Sequence, residues 1–105
     1  MVITVEVDNF TIMKILCDQG SSVDILYWNT FKKTTIQKIE IQPYDDQIVN
    51  FSGERVDTWG YIDLYTTLGE DKHLRQTIKI RYLIVDANTS YNILFGRFLS
   101  TYFGW

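Results

Sequence analysis

The sequence predicts a single, mostly-β domain with one short helix. Three observations carry this. Ile, Val, Tyr, Phe, Trp and Thr are abundant, and these residues suit a pleated, half-buried surface. Turn signals separate short apolar runs along most of the chain, and only one segment shows helical spacing. The chain has 105 residues, which allows one core at roughly 100–200 residues per domain.

The elements follow in order. Residues 2–7 place Ile3, Val5 and Val7 on one parity, and Asp8-Asn9 supplies a turn, so a hairpin with a strand over residues 10–17 is expected. Asp18-Gln19-Gly20 is a polar stop. Val23, Leu26, Tyr27, Thr30 and Phe31 then fall on one helical face. Ser21-x-x-Asp24 has the spacing of a capping box, and Lys32-Lys33 suits the negative end of the helix dipole. From residue 36 strand character returns with Ile36, Ile39 and Ile41, up to the single proline, Pro43. Residues 47–51 and 55–68 read as two strands joined at Ser52-Gly53-Glu54, and Gly69-Glu70-Asp71-Lys72 as the next turn. Residues 74–85 alternate most clearly, with Leu74, Ile78, Ile80, Tyr82 and Ile84 on one face and Arg75, Thr77, Lys79 and Arg81 on the other. After a loop at residues 86–90, residues 91–95 form a short apolar strand stopped by Gly96-Arg97. Residues 98–105 have room for a turn of helix.

Composition excludes several function classes. Apolar residues make up 46% and charged residues 22%, close to the globular average and unlike a disordered chain. The formal net charge is −3, a poor basis for general nucleic-acid binding, which needs a surplus of cations. The single cysteine, Cys17, excludes a disulfide framework and a cysteine-based zinc site. No apolar run approaches the roughly 18 residues of a membrane span. The start has no basic region and carries Glu6 and Asp8 early, unlike a secretory signal, so a cytoplasmic, reducing setting is expected.

The segment CDQGSSVDILYWNTF, residues 17–31, resembles the active-site loop of retropepsin-like aspartic proteases. It is most similar to the protease domain of plant Gypsy-type retrotransposon polyproteins, where Asp-x-Gly-Ser-Ser-x-Asp-Ile follows a hydrophobic strand. PYDDQIVNFSGERVDTWGYIDL, residues 43–64, is similar to the flap region of that family. IRYLIVDANTSYNILFGR, residues 80–97, is similar to its late core strand, its Asp-x-x-x-x-Tyr-Asn loop and its apolar-apolar-Gly-Arg ending. The likeness spans about residues 1–99, in matching order.

The resemblance implies a single retropepsin-like acid protease barrel over residues 1–105, with a short helix after the active-site loop and a flap at about 47–62. It implies an aspartic endopeptidase that processes a polyprotein. That chemistry needs two carboxylates sharing one proton across a water. The chain has one Asp-x-Gly, so Asp18 would act from both chains of a homodimer. Gln19, Gly20, Ser21 and Ser22 would form the active-site loop, with the Gly20 amide donating to the carboxylate. Phe51, Ser52, Gly53 and Glu54 would be the flap tip over an extended peptide substrate. Gly96, followed by Arg97, would pack under the loop. No cofactor or metal is implied. Gln19 stands where the family carries Ser or Thr, so a catalytically inactive dimerisation or peptide-binding module of the same fold stays open.

Other residues read more plainly. Cys17 is expected to be a buried thiol, His73 solvated, and Asp45-Asp46 loop charge rather than a metal site, since adjacent side chains on extended backbone diverge. The Arg75/Lys79/Arg81 stripe is expected to be a solvated strand face. Trp59 and Tyr61 either line a substrate groove or cover the core.

Overall fold

The computed structural model describes residues 5–44, 48–51, 54–69, 75–97 and 99. It is mostly β, as the sequence predicts, with one short helix. The chain makes β1 (Val5–Val7), β2 (Phe10–Ile12), β3 (Ile15–Cys17), β4 (Asp24–Tyr27), α1 (Trp28–Phe31), β5 (Ile48–Phe51), β6 (Glu54–Leu68), β7 (Gln76–Val85) and β8 (Ile93–Phe95). Seven strands follow the order β2-β1-β6-β7-β4-β8-β3, and β5 branches off by pairing β6.

The first hairpin forms where expected. Val7 pairs with Phe10, and Asp8 and Asn9 both adopt positive φ, 46° and 75°. A two-residue loop with two positive φ values matches the right-handed twist of its strands, and Asp and Asn tolerate that region.

The expected single strand over 10–17 is instead two. It breaks at Met13-Lys14, where Lys14 has φ 59°. β2 pairs β1, whereas β3 pairs β8 in parallel. The chain thus leaves one edge of the sheet and joins the other within two residues. Ile12 and Ile15 still meet in the same core cluster. This connection curls the sheet into a nearly closed, barrel-like layer.

The helical expectation for residues 23–31 fails over its first half. Residues 24–27 are strand β4, pairing β7 in parallel and β8 antiparallel, and only Trp28–Phe31 is helical. Ile25 and Tyr27 face one apolar cluster and Leu26 the other. A short apolar run buried on both faces cannot be told from a helix by period alone. The capping box is absent too. Ser21 Oγ accepts from Val23 N–H at 3.2 Å, and the Asp24 carboxylate serves another segment. Lys32-Lys33 follow the helix rather than occupying its last turn.

Residues 36–41 also depart from expectation. A 3₁₀ turn, Lys38–Glu40, replaces the strand, and an isolated bridge from Gln42 to Tyr61 follows. Ile36, Ile39 and Ile41 do not share a parity. Ile36 and Ile41 pack on the core, while Ile39 is 85% exposed.

Strands β5, β6 and β7 form as read, with β5 and β6 antiparallel up to Phe51↔Glu54. On β7, Ile80, Tyr82 and Ile84 face the main core. The opposite face is polar at Thr77, Lys79 and Arg81, then buried at Leu83 and Val85. The basic stripe is exposed and partly paired, Arg75 with Glu6 at 2.7 Å and Arg81 with Asp63 at 2.9 Å. At the fold's centre Thr66 and Tyr82 share a buried hydrogen bond of 2.8 Å.

Several expectations fall outside the described residues: Ile3, Asp45-Asp46, Ser52-Gly53, the turn at 70–72, His73, Leu74 and most of 98–105. Of that last segment Leu99 is described, and it is buried. Among the described residues no helix is long and apolar enough to cross a membrane.

Candidate active site

β3 delivers Asp18 to the end of its parallel pairing with β8. The Asp18 N–H still donates to Phe95 O at 2.9 Å, so the residue starts from a fixed backbone position. The chain then turns. Ser21 N–H donates to Asp18 O at 3.1 Å, and Gly20 N–H donates to Asp18 Oδ1 at 2.9 Å. An aspartate accepting from the amide two residues on is an Asx-turn. A Cβ at position 20 would sit 3.2 Å from that oxygen, so glycine lets the amide approach. Asp18 is half-buried, with Gln19 and Gly20 exposed beside it.

The loop is braced from below by the chain leaving β8. Gly96 N–H donates to Asp24 Oδ1 at 2.7 Å and Arg97 N–H to Ser21 O at 2.7 Å. Arg97 Nε reaches Gln19 O at 3.1 Å. Ser21 is buried, and its hydroxyl donates to Val23 O at 2.9 Å. Ser22 is exposed. The Gly96–loop distance is too short for a side chain, since a Cβ would lie 2.6 Å from Val23 O and 2.8 Å from Ser21 O.

Electrostatics couples these groups. Burial pushes the Asp24 carboxyl above its ordinary value, and the Gly96 amide partly offsets this. Burial also raises the Tyr27 hydroxyl, and the Asp18 charge adds to the rise, so Tyr27 lies within the field of Asp18. Burial pushes the Tyr82 hydroxyl well up, opposed by its bond to Thr66 and assisted by the Asp24 charge.

The other singled-out residues lie apart. Phe51 and Glu54 form the last described pair of the β5–β6 hairpin, while Ser52 and Gly53 at its tip are outside the described residues. Trp59 stacks on Trp28 at 4.4 Å between ring centres, and the Lys38 ammonium sits 4.0 Å from the Trp59 ring. Tyr61 packs on the second cluster under the Arg81 guanidinium, 4.3 Å away. Tyr61 thus covers the core, while Trp59, 42% exposed, lies over Trp28 at the surface. Cys17 is half-buried on β3 rather than fully buried. Among the described residues no three His, Cys, Asp or Glu side chains gather to hold a metal ion.

Two residues of the site escaped the sequence reading. Asp24 read as a cap, yet it pins β8 to β4. A carboxylate inside an apolar run was the available signal, because a buried acid needs a donor. Asn92 read as part of an apolar strand, yet it joins three segments. Its N–H donates to Lys14 O at 3.0 Å, its Nδ2 to Met13 O at 2.6 Å, and its Oδ1 accepts from Thr30 Oγ1 at 2.7 Å.

The arrangement presents the Asp18 carboxylate on a hydrogen-bonded loop, while the Asp24 carboxylate is turned to the Gly96 amide. No protein-family model matches the chain, and no curated protein matches it in sequence.

Proposed function

We propose that this chain is a retropepsin-like aspartic endopeptidase of a retrotransposon polyprotein. It acts as a homodimer, with the Asp18 loops of two copies meeting on a two-fold axis. The observation that carries this is the braced loop: Asp18 Oδ1 accepts the Gly20 amide at 2.9 Å, and Gly96-Arg97 holds the loop from beneath. The ordered sequence blocks at 17–31, 43–64 and 80–97 add to it.

In this reading two Asp18 carboxyls share one proton, because like charges in contact cannot both ionise. The ionised one takes a proton from the water between them. The water oxygen attacks the scissile carbonyl, whose oxygen takes the proton of the protonated partner. The resulting gem-diol then collapses with cleavage of the C–N bond, the amine leaving with the proton taken from the water while a diol proton returns to the pair. The β5–β6 hairpin closes over the substrate, which lies extended and is held by backbone hydrogen bonds.

Gln19 favours a second reading. It stands at the position where the resembled family has a hydroxyl residue, and it supports a non-catalytic dimerisation or peptide-binding module.

Cleavage of a mixed peptide library across mildly acidic to neutral pH separates the two. The protease reading expects cuts that vanish in Asp18→Asn and whose rate per chain rises with protein concentration. Absence of cuts from a folded chain at every concentration rejects it. Peptide binding that survives Asp18→Asn without cleavage favours the module.

A further inference from the structure

A groove of about 800 Å³ opens at the end of β3 opposite to Asp18. Lys14, Lys32 and Lys33 line it, and no acidic side chain does among the described residues. All three lysines are exposed, and none has an ion-pair partner among the described residues. Three of the ten cations of an acidic chain thus face one concavity.

The groove is built rather than incidental. Lys14 is held at φ 59°, a conformation that side-chain-bearing residues rarely adopt. Asn92 fixes it by binding the Met13 and Lys14 carbonyls. The same side chain accepts from Thr30 on α1, the helix that leads into Lys32 and Lys33. One asparagine therefore sets the spacing between the two sources of charge. Met13 and Tyr91, 51% and 41% exposed, add apolar wall beside the ammonium groups.

We propose that this groove binds a short extended peptide that alternates acidic and apolar side chains. Acidic groups meet the lysines, and the intervening apolar groups rest on Met13 and Tyr91. An extended chain turns successive side chains to opposite sides at about 3.3 Å per residue, so acidic and apolar groups can alternate along a groove whose lining mixes lysines with Met13 and Tyr91. A nucleic acid fits less well. Its backbone charge needs a longer cationic track, while Arg75, just before β7, and Arg81 on it are engaged with Glu6 and Asp63. The net charge of −3 also repels a polyanion beyond the groove. Ile15–Cys17 separates Lys14 from Asp18, about 13 Å of extended chain, so binding here does not depend on Asp18.

The test is fluorescence anisotropy with a labelled peptide alternating Glu and Leu. Comparators are a peptide alternating Gln and Leu and a labelled single-stranded oligothymidylate. The Glu-Leu peptide is expected to bind and the Gln-Leu peptide to bind far more weakly. Changing Lys14, Lys32 and Lys33 together to Gln is expected to weaken Glu-Leu binding roughly tenfold, the combined effect of three exposed ion pairs. Lys79→Gln, on β7, is expected to leave it unchanged. Raising ionic strength to about 0.15 M, where charges are screened beyond about 8 Å, should weaken the parent's binding. Thermal melting confirms that the triple variant is folded. Equal binding of both peptides, no loss in the triple variant, no binding at all, or tighter binding of the oligothymidylate each overturns the proposal.

Discussion

Gly96→Ala tests whether the brace under the Asp18 loop fixes that loop. The new Cβ would lie 2.6 Å from Val23 O, where ordinary contact begins at 3.4 Å, so 3.4 − 2.6 = 0.8 Å of relief is needed. Ser21 O, at 2.8 Å, blocks a neighbouring direction. Both obstacles are backbone, so no side-chain rotation relieves them. Any shift strains the bonds from Gly96 N–H to Asp24 and from Arg97 N–H to Ser21, each 2.7 Å. Overpacking costs about 1–3 kcal/mol, and a lost hydrogen bond to a charged group about 1.5–3 kcal/mol. The two overlap, so a total near 3 kcal/mol is expected. A chain of this size has about 5–15 kcal/mol in all, and the midpoint of thermal unfolding should fall by roughly 12 °C at about 4 °C per kcal/mol. Urea unfolding followed by tryptophan fluorescence measures the loss, with the Trp28–Trp59 stack as reporter. A change below about 1 kcal/mol with an unaltered urea slope would refute the reasoning. The loop would then yield freely, and Gly96 would not be what holds it.

Asp24→Asn should stabilise the chain at neutral pH, because its Oδ1 still accepts from Gly96. Burial raises the folded carboxyl above its ordinary 3.8, so the folded state binds this proton more tightly and the parent loses stability as pH rises through that window. The gain should disappear below the ordinary value. Urea unfolding at several pH values tests this, and a variant weaker than the parent at neutral pH would contradict it. Tyr82→Phe and Thr66→Val should each cost about 1–3 kcal/mol by orphaning a buried partner. The double variant should cost less than their sum, and strict additivity would deny the coupling. Asn92→Ala removes two side-chain bonds and should cost about 1–3 kcal/mol. It should also weaken binding of the Glu-Leu peptide, and unchanged binding would mean that Asn92 does not set the groove. Gly60 has φ 135°, and a Cβ there would meet Gln42 O at 2.1 Å. Gly60→Ala should therefore destabilise more than Gly69→Ala, compared by thermal melting.

Local chemistry made much of this fold legible. Asp8-Asn9 specified the first turn, because few residues accept two successive positive φ values. The alternation along β7 declared its core face through Ile80, Tyr82 and Ile84. Asp18-Gln19-Gly20 declared a polar stop after β3, which the structure makes an Asx-turn. Those features depend on neighbours in sequence, and the sequence carries them by itself. Asp24–Tyr27 does not belong to that class. Its spacing suits a helix, and it became strand because β7 and β8 offered hydrogen bonds on both sides and an apolar cluster on each face. The break at Met13-Lys14, the inward turn of Asp24 and the three-way grip of Asn92 were decided in the same way. Each satisfies backbone or carboxylate groups with partners far along the chain, as with Asp24 and Gly96 or Asn92 and Met13. Period and propensity report what a segment prefers alone. Only the folded sheet decides which distant donors and acceptors it must satisfy once water is excluded.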